Sequence, residues 1–368
     1  MMKVTFENAT IADSITKAAR VAPTRGEAFD KASGILMTLD PEEGTVTLRS
    51  TNLHLFYLEV VDAIDVQGEG EWRLNSIVLA GVVGKLPIGS GKTVTFEQKG
   101  SEVHMKSGRT TAKFRTIDTT YYPKWDAYDP EKLEMVPDLG QRIQQVEWAA
   151  MQDHEISFAG IHLDGEHITA TDRIRLARVP CEAEPIYKPV TIPAGILKPL
   201  LGGLRDVAVG IDEGMFLLMP DVSTQLKTRI YDREYPPSVK TAFTKFDWPN
   251  KVSVRKSALL EIIDRAAVFA QRDRSPKLDF IVGKGEIAVM CSDVDMGLLG
   301  DVVTVEGADH NRHRMIFTPR NITDALNAAP SEEVDIFYNI EESNYPLKID
   351  GGSGYVAIVM ARREIEGT

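Results

Sequence analysis

A strand-like run that ends in a hydroxyl residue followed by Asn or Asp occurs three times in this chain, at nearly constant spacing. The copies are Thr45-Val-Thr-Leu-Arg-Ser-Thr-Asn52, Ile168-Thr-Ala-Thr-Asp172 and Ile287-Ala-Val-Met-Cys-Ser-Asp293. Their corners fall at 51–52, 171–172 and 292–293, 120 and 121 residues apart. Thr, Ile and Val favour a pleated, half-buried surface, and the Asn or Asp predicts a tight turn. A fixed long period requires each repeat to supply the same structural unit. The middle copy continues as Arg173-Ile-Arg-Leu-Ala-Arg-Val-Pro180.

The helix signals obey a shorter period. Helices are expected at about Ala9–Arg20, Asn75–Leu86, Gln141–Asp153, Ala194–Arg205, Arg255–Arg272 and Pro319–Pro330. Four have start signals: Thr10, Asn75-Ser76, Pro193 and Thr318-Pro319. In the fifth, Leu259, Ile262, Ile263, Ala266, Ala267 and Phe269 recur near i, i+3, i+4 and form one apolar face. Alternating runs with turn signals fill the gaps, such as Thr93-Val-Thr-Phe, Gln98-Lys-Gly-Ser and Glu102-Val-His-Met. The unit is therefore one helix plus antiparallel strands, made six times and paired into three domains. The expected class is α+β, with domains at 1–125, 126–248 and 249–368. A length of 368 residues suits two or three domains, each with its own core. The first two end on related phrases, Arg115-Thr-Ile-Asp-Thr-Thr-Tyr-Tyr-Pro123 and Arg229-Ile-Tyr-Asp-Arg-Glu-Tyr-Pro-Pro237, and connectors fall near Lys124–Asp138 and Thr241–Asn250. Duplication without functional content would also explain the repeat.

A formal charge of −12 argues against a nucleic-acid partner until it is divided by location. The six helical segments hold eleven Lys or Arg against six Asp or Glu, a surplus of five, which leaves −17 for the remainder. Lys17, Arg20, Arg142, Lys198, Arg205 and Arg265 are among those cations and are candidate phosphate contacts. Basic helices on an acidic protein suit a shape whose helices face a polyanion, with contacts that ignore base sequence. Lys and Arg are equally good helix formers on solvated faces, so charge alone leaves both accounts open.

Other classes find little support. No apolar stretch is long enough for a bilayer, and Met1-Met-Lys-Val-Thr-Phe-Glu reads as a strand rather than a signal peptide, so a cytoplasmic protein with no membrane partner is expected. Two cysteines, Cys181 and Cys291, exclude a disulfide framework. Gly89-Ser-Gly-Lys-Thr93 mimics the end of a phosphate-binding loop, but position 86 is Leu and the stretch follows a helix and opens a strand, the reverse of what that loop needs. His162/His167 and His310/His313 lack further ligands at metal spacing. No catalytic set, cofactor or metal is expected.

At this point the order of motifs along the whole chain resembles the bacterial-type β sliding clamp, the processivity subunit of DNA polymerase III. Ala170-Thr-Asp-Arg-Ile-Arg-Leu176 is similar to the family's Ala-Thr-Asp-Gly-His-Arg-Leu. Further matches are Ser107-Gly-Arg109, Asp232-Arg-Glu-Tyr-Pro236, Asp264-Arg-Ala-Ala267 and Tyr355-Val-Ala-Ile-Val-Met360. The resemblance implies three clamp-fold domains, each with two helices packed on antiparallel sheets, in a head-to-tail homodimer ring of six domains. It implies a non-enzymatic function: to encircle double-stranded DNA in the cytoplasm and tether the replicative DNA polymerase, after loading by a clamp loader. A clamp-fold protein that binds replication-factor peptides without encircling DNA is the alternative.

The resemblance also assigns residues. A partner-peptide pocket would use Phe158, Thr171, Arg173, Ile174, Arg175 and Leu176 from the second domain. Pro236, Lys240, Thr241, Val356, Ile358, Val359 and Met360 would complete it. Arg25 and Gln152 match DNA contacts, and Val268 and Phe269 match an apolar patch at the dimer seam. The chain departs from the family at Arg173-Ile174, in place of Gly-His, and at Val359, in place of a proline. Ala112 stands where a seam aromatic is expected, Ile156 and Ser157 replace DNA-contacting tyrosines, and the tail Arg362-Arg-Glu-Ile-Glu-Gly-Thr368 runs past the usual end. A divergent member, such as one encoded by a bacteriophage, would carry changes of this kind.

Overall fold

The computed structural model describes residues 2–25, 31–128, 133–151, 159–181, 189–232, 234–270, 276–293 and 297–363. The chain divides into two compact units, residues 1–140 with 196–230 and residues 141–195 with 231–368. Each unit holds one eight-stranded antiparallel sheet and one smaller sheet, of five strands in the first and four in the second. In the first unit the large sheet runs Glu134–Val136, Val207–Asp212, Met215–Asp221, Thr224–Arg229, Leu55–Asp62, Thr45–Thr51, Ile35–Asp40 and Gly70–Leu74. Its mid-sheet seam pairs Thr224–Arg229 with Leu55–Asp62, setting Leu226 opposite Tyr57. The second unit repeats the plan as Val190–Ile192, Ile161–Leu163, His167–Thr171, Arg175–Pro180, Val356–Val359, Leu347–Asp350, Glu333–Tyr338 and Asn250–Arg255. There the seam sets Leu176 opposite Ile358. Both seams join strands that are far apart in sequence.

Six α-helices lie among the described residues: α1 (Asn8–Val21), α2 (Ser76–Val83), α3 (Leu139–Glu147), α4 (Pro237–Lys245), α5 (Lys256–Ala267) and α6 (Pro319–Ala328). α1 buries Ile11, Ile15 and Ala18, and α5 buries Leu259, Ile262, Ile263 and Ala266, as their periodicity predicts. Full burial of each large aliphatic chain is worth roughly 1.5–3 kcal/mol. The Asn75 side chain caps α2 by accepting from Val78 N, and Pro319 opens α6 at the position where its missing N–H costs nothing.

Two expectations change. Ala194–Arg205 is a chain of turns with only a short 3₁₀ segment at Leu201–Gly203. Pro199 interrupts it, and Gly195 takes φ +73°. The carbonyls of Leu204 and Arg205 instead accept from Gly140 N and Leu139 N at the start of α3. A Cβ on Gly140 would lie 2.3 Å from Leu201 O, so this close approach requires glycine. Conversely, α4 begins at the end of the Arg229–Pro237 phrase and runs into what the sequence presents as a connector, Thr241–Asn250. It has nine residues and Val239 is its only buried one, so its apolar pattern is faint and tertiary packing sustains it.

The repeated corner is one turn built twice. In the first copy Thr51 Oγ1 donates to Leu55 O at 2.7 Å and accepts from Leu53 N at 2.9 Å, and Asn52 Oδ1 accepts from His54 N and Leu55 N. In the second, Thr171 Oγ1 donates to Arg175 O at 2.6 Å and accepts from Arg173 N at 3.1 Å, and Asp172 Oδ1 accepts from Ile174 N and Arg175 N. Leu53 and Arg173 take the same left-handed backbone, φ +72° and +77°. The Ser292–Asp293 corner leads into residues outside the described set.

Each unit also buries an ionisable group. Glu59 accepts from Ser14 Oγ at 3.0 Å and Tyr57 Oη at 2.5 Å, and burial together with that carboxylate drives the Tyr57 hydroxyl pKa far upward. His162 stacks on Tyr235 with ring centroids 4.2 Å apart, and its Nδ1 lies 3.0 Å from Thr191 Oγ1. Burial pushes the imidazole down to about 4.

Two predictions follow from these contacts. Thr51→Val and Thr171→Val each strip the same hydroxyl from a buried turn, and each should lower unfolding free energy by about 1–2 kcal/mol. Urea titration checks that the two losses match. For His162 the folded pKa lies below the unfolded value near 6.5, so the unfolded chain binds the proton first. Its contribution is intact above pH 6.5 and is lost as pH falls toward 4, by up to about 3 kcal/mol. Stability measured across that window should fall less steeply in His162→Phe than in the parent.

Candidate functional site

A cleft of about 410 Å³ opens in the second unit where the Thr171–Arg175 turn, α4 and the end of the Val356–Val359 strand meet. Its floor is apolar: Leu176, Tyr235, Val239 and Ile358 form one buried cluster, with Ala242, Phe243 and Trp248 packed against it. The seam pairing puts Leu176 beside Ile358, and Met360 N donates to Ile174 O at 2.8 Å, so the chain beyond the strand stays on the turn.

Nine of the expected pocket residues line this cleft. Thr171, Arg173, Ile174, Arg175 and Leu176 come from the turn and its strand, and Pro236, Thr241, Ile358 and Met360 from the other walls. Three expected residues do not line it. Lys240 points to the other side of α4, where its Nζ pairs with Asp164 Oδ2 at 3.0 Å. Val359 is fully buried on the opposite face of its strand from Ile358, and Val356 shares the Ile358 face but pairs farther along, opposite Arg178. Phe158 lies outside the described residues. The sequence reading missed Ser238, Val239, Ala242, Lys245 and Phe246, all on α4 or its C-cap. The only signal for them was Pro237 as a helix start.

Electrostatics divide the arginines by task. Arg175 Nε and Nη2 each lie 2.8 Å from Asp172 Oδ2, its Nη1 lies 3.0 Å from Asp324 Oδ2 on α6, and its guanidinium lies over the Trp148 ring. Its charge therefore ties the turn to α6. Arg178 stacks on Phe243 at 3.7 Å and holds the flank of α4 opposite the cleft. Arg173 and Ile174 are exposed at the rim, with Ile174 at 53%.

The expected DNA-facing cations occupy varied settings. Lys17 pairs with Asp13 at 2.7 Å, Arg20 donates to Pro199 O at 3.4 Å, and Arg142 donates to Pro180 O. Arg265 bonds Asp301 at 2.7 Å. Lys198 and Arg205 are exposed but sit on the turn segment 194–205, not on a helix as their pattern suggested. Arg25 is exposed, and Gln152 lies outside the described residues. Of the seam residues, Val268 is exposed in a 3₁₀ turn after α5, Phe269 beside it is half-buried, and Ala112 is half-buried on the strand Thr110–Arg115.

Gly89–Thr93 is a turn closed by Lys92 N donating to Gly89 O, leading into the strand Thr93–Lys99. Among the described residues no group of three or more His, Cys, Asp or Glu is placed to hold a metal, and no helix is long and apolar enough to cross a membrane. Cys181 and Cys291 are buried and not in disulfides, and burial pushes the Cys291 thiol up to about 11.

No protein-family model matches the chain. Among curated proteins, the β sliding clamp of Halalkalibacterium halodurans is 24% identical over 343 residues, covering 86% of this chain and 87% of its own length. That of Lactococcus lactis is 22% identical, with 88% and 90% covered. Among solved structures, the DNA polymerase III β subunit of Thermotoga maritima superposes with a TM-score of 0.85 at 21% identity, over 99% of this chain and 100% of that one. The Streptococcus pneumoniae β chain gives 0.86 at 16% identity over the same shares. The chain has the sliding-clamp fold over 99% of its length and is similar in sequence, at 24% and 22% identity, to the β sliding clamps of Halalkalibacterium halodurans and Lactococcus lactis.

Proposed function

We propose that the chain is a non-catalytic DNA sliding clamp: two copies join head to tail, encircle duplex DNA and tether the replicative polymerase for processive synthesis. The observation that carries this is the match, in fold and in sequence, over nearly the full length of β sliding clamps. Each protomer would contribute three clamp domains, at 1–125, 126–248 and 249–368. Partner proteins, a clamp loader among them, would insert an apolar anchor into the cleft at Leu176, Val239, Ile358 and Met360. Arg25, Gln152, Lys17, Arg20, Arg142, Lys198, Arg205 and Arg265 would supply sequence-independent phosphate contacts in the ring.

The sheet edges support a dimer. The strand Thr110–Arg115 ends the five-stranded sheet, and Gly297–Thr304 ends the four-stranded one. Leu298 and Val302 share one face of the second edge strand and are 59% and 54% exposed. An exposed apolar edge strand is an aggregation hazard unless another chain covers it. Pairing one copy's Gly297–Thr304 with the other's Thr110–Arg115, beside Val268, Phe269 and Ala112, would close both edges in a ring.

Val302→Lys should convert the dimer to monomer in light scattering while leaving the circular dichroism spectrum unchanged. The parent protein, once loaded, should stay on nicked circular DNA and run off after linearisation. Equal retention on both would favour a clamp-fold protein that does not encircle DNA. Leu176→Ala with Met360→Ala should abolish polymerase-peptide binding and leave that retention intact.

A further inference from the structure

We propose that a cavity on the far flank of α4 from the cleft binds a small planar carboxylate, held by the Arg178 guanidinium. The site is separate from the cleft and does not depend on the reading of the chain as a clamp. The cavity measures about 170 Å³ and lies within the second unit. Lys240 and Phe243 of α4 line one side, His162, Thr169 and Arg178 line the sheet side, and Tyr235 contributes from just before the helix. Arg178 Cζ sits 3.7 Å from the centroid of the Phe243 ring. At that distance the guanidinium lies against the ring face and keeps its N–H edge for acceptors. Among the described residues none accepts from that edge at hydrogen-bond distance. The nearby carboxylates are engaged elsewhere. Asp164 Oδ2 pairs with Lys240 Nζ at 3.0 Å, and its Oδ1 accepts from the backbone N–H groups of Glu166 and His167. The Glu166 side chain is 85% exposed and lies 3.9 Å from His167 Nδ1. Tyr235 also keeps a buried hydroxyl with no hydrogen-bond partner among the described residues. Two donors of the cavity wall thus lack an acceptor, and a buried donor left unmet is costly.

The duplicated sheet shows that the strand does not require an arginine here. The repeat period places Leu58 at the same point, opposite Gln225 as Arg178 is opposite Val356, and Leu58 is buried. An apolar residue satisfies the pleat, so folding alone does not account for a half-buried cation. Burial lowers the Arg178 pKa from the usual arginine value, with the Asp164 charge opposing. The guanidinium has given up water without gaining an ion pair at contact distance. Charge and shape then select the ligand. Lys240 and Asp164 offset each other and Glu166 sits beside His167, so one negative charge balances Arg178. A carboxylate supplies that charge with two oxygens in the plane of the guanidinium edge, the pairing that suits its fork. A phosphate dianion would set its second charge against Asp164 and Glu166. The stacked rings of Tyr235 and His162 offer a flat apolar wall for the body of the ligand. Such a ligand would brace the Arg178–Phe243 stack and with it α4, which buries only Val239 of its own.

Saturation-transfer NMR on the full-length protein tests this with sodium benzoate, and with benzamide as its uncharged counterpart. Benzoate should bind saturably and benzamide should not. Arg178→Gln should weaken benzoate about tenfold or more. Arg178→Lys, which keeps the charge but not the fork, should weaken it by a smaller factor. Arg178→Leu, which introduces the residue type of the first unit, should keep the parent's circular dichroism spectrum and lose benzoate binding. Hydrogen–deuterium exchange in α4 should slow under saturating benzoate in the parent and stay unchanged in Arg178→Leu. Equal binding of benzoate and benzamide overturns the proposal, as does benzoate binding that survives Arg178→Leu intact. Displacement of benzoate by an equal concentration of inorganic phosphate overturns the preference for a planar monoanion. Loss of binding in Ile174→Ser, at the exposed rim of the cleft, would put the ligand in the cleft and overturn the separate site.

Discussion

Both units depend on antiparallel pairing between strands far apart in sequence. Leu226 opposite Tyr57 and Leu176 opposite Ile358 join two four-strand runs into one eight-stranded sheet in each unit. Such pairing carries a large loop-closure cost, which only the core on the sheet face can offset. Once formed, it sets the end of one strand beside the corner of another. In the second unit that places Met360 against Ile174 and makes a wall of the cleft from residues 186 apart in the chain.

The two units use the same corner in different ways. In the first, Trp125 from the connector lies edge-on to Phe56, ring centroids 5.0 Å apart, and is 9% exposed. The repeat period places Phe56 where the second unit has Leu176. There Pro237–Lys245, which runs into the connector, forms α4, whose Val239 and Ala242 pack at Leu176 yet leave a cleft between helix and turn. The difference lies in the connectors. Pro237 opens a helix in one, while Pro123-Lys-Trp125 forms no helix or strand in the other and delivers an aromatic ring. A duplicated scaffold thus becomes specialised through its least regular segments, which tolerate change because few backbone hydrogen bonds depend on them.

Charged side chains show a similar division between holding the fold and facing outward. Arg175 resembles Arg173 in sequence, two positions away on the same rim, yet one is tied to α6 and the other is exposed. Lys240 and Lys245 lie on the same short helix, and only Lys245 reaches the cleft, because Asp164 draws Lys240 to the other flank. Five residues turn a helix well past a full circle, so sequence proximity says little about shared direction.

Taken alone, the sequence determined the α+β class, the repeated corner and five of the six described helices, features written in local period and turn chemistry that the chain expresses before any long-range contact forms. Nine of the residues that line the cleft are named by the family resemblance and not by local pattern. The sequence did not determine that Ala194–Arg205 gives up its helix. Pro199 and the demand of α3 for the carbonyls of Leu204 and Arg205 decide that. Nor did it reveal α4, whose nine residues have too weak a pattern to stand without Leu176 and Tyr235 beneath them. The cleft therefore took its floor from the sequence motif and its second wall from tertiary packing, because a marginal helix forms only where a folded surface already waits for its apolar side.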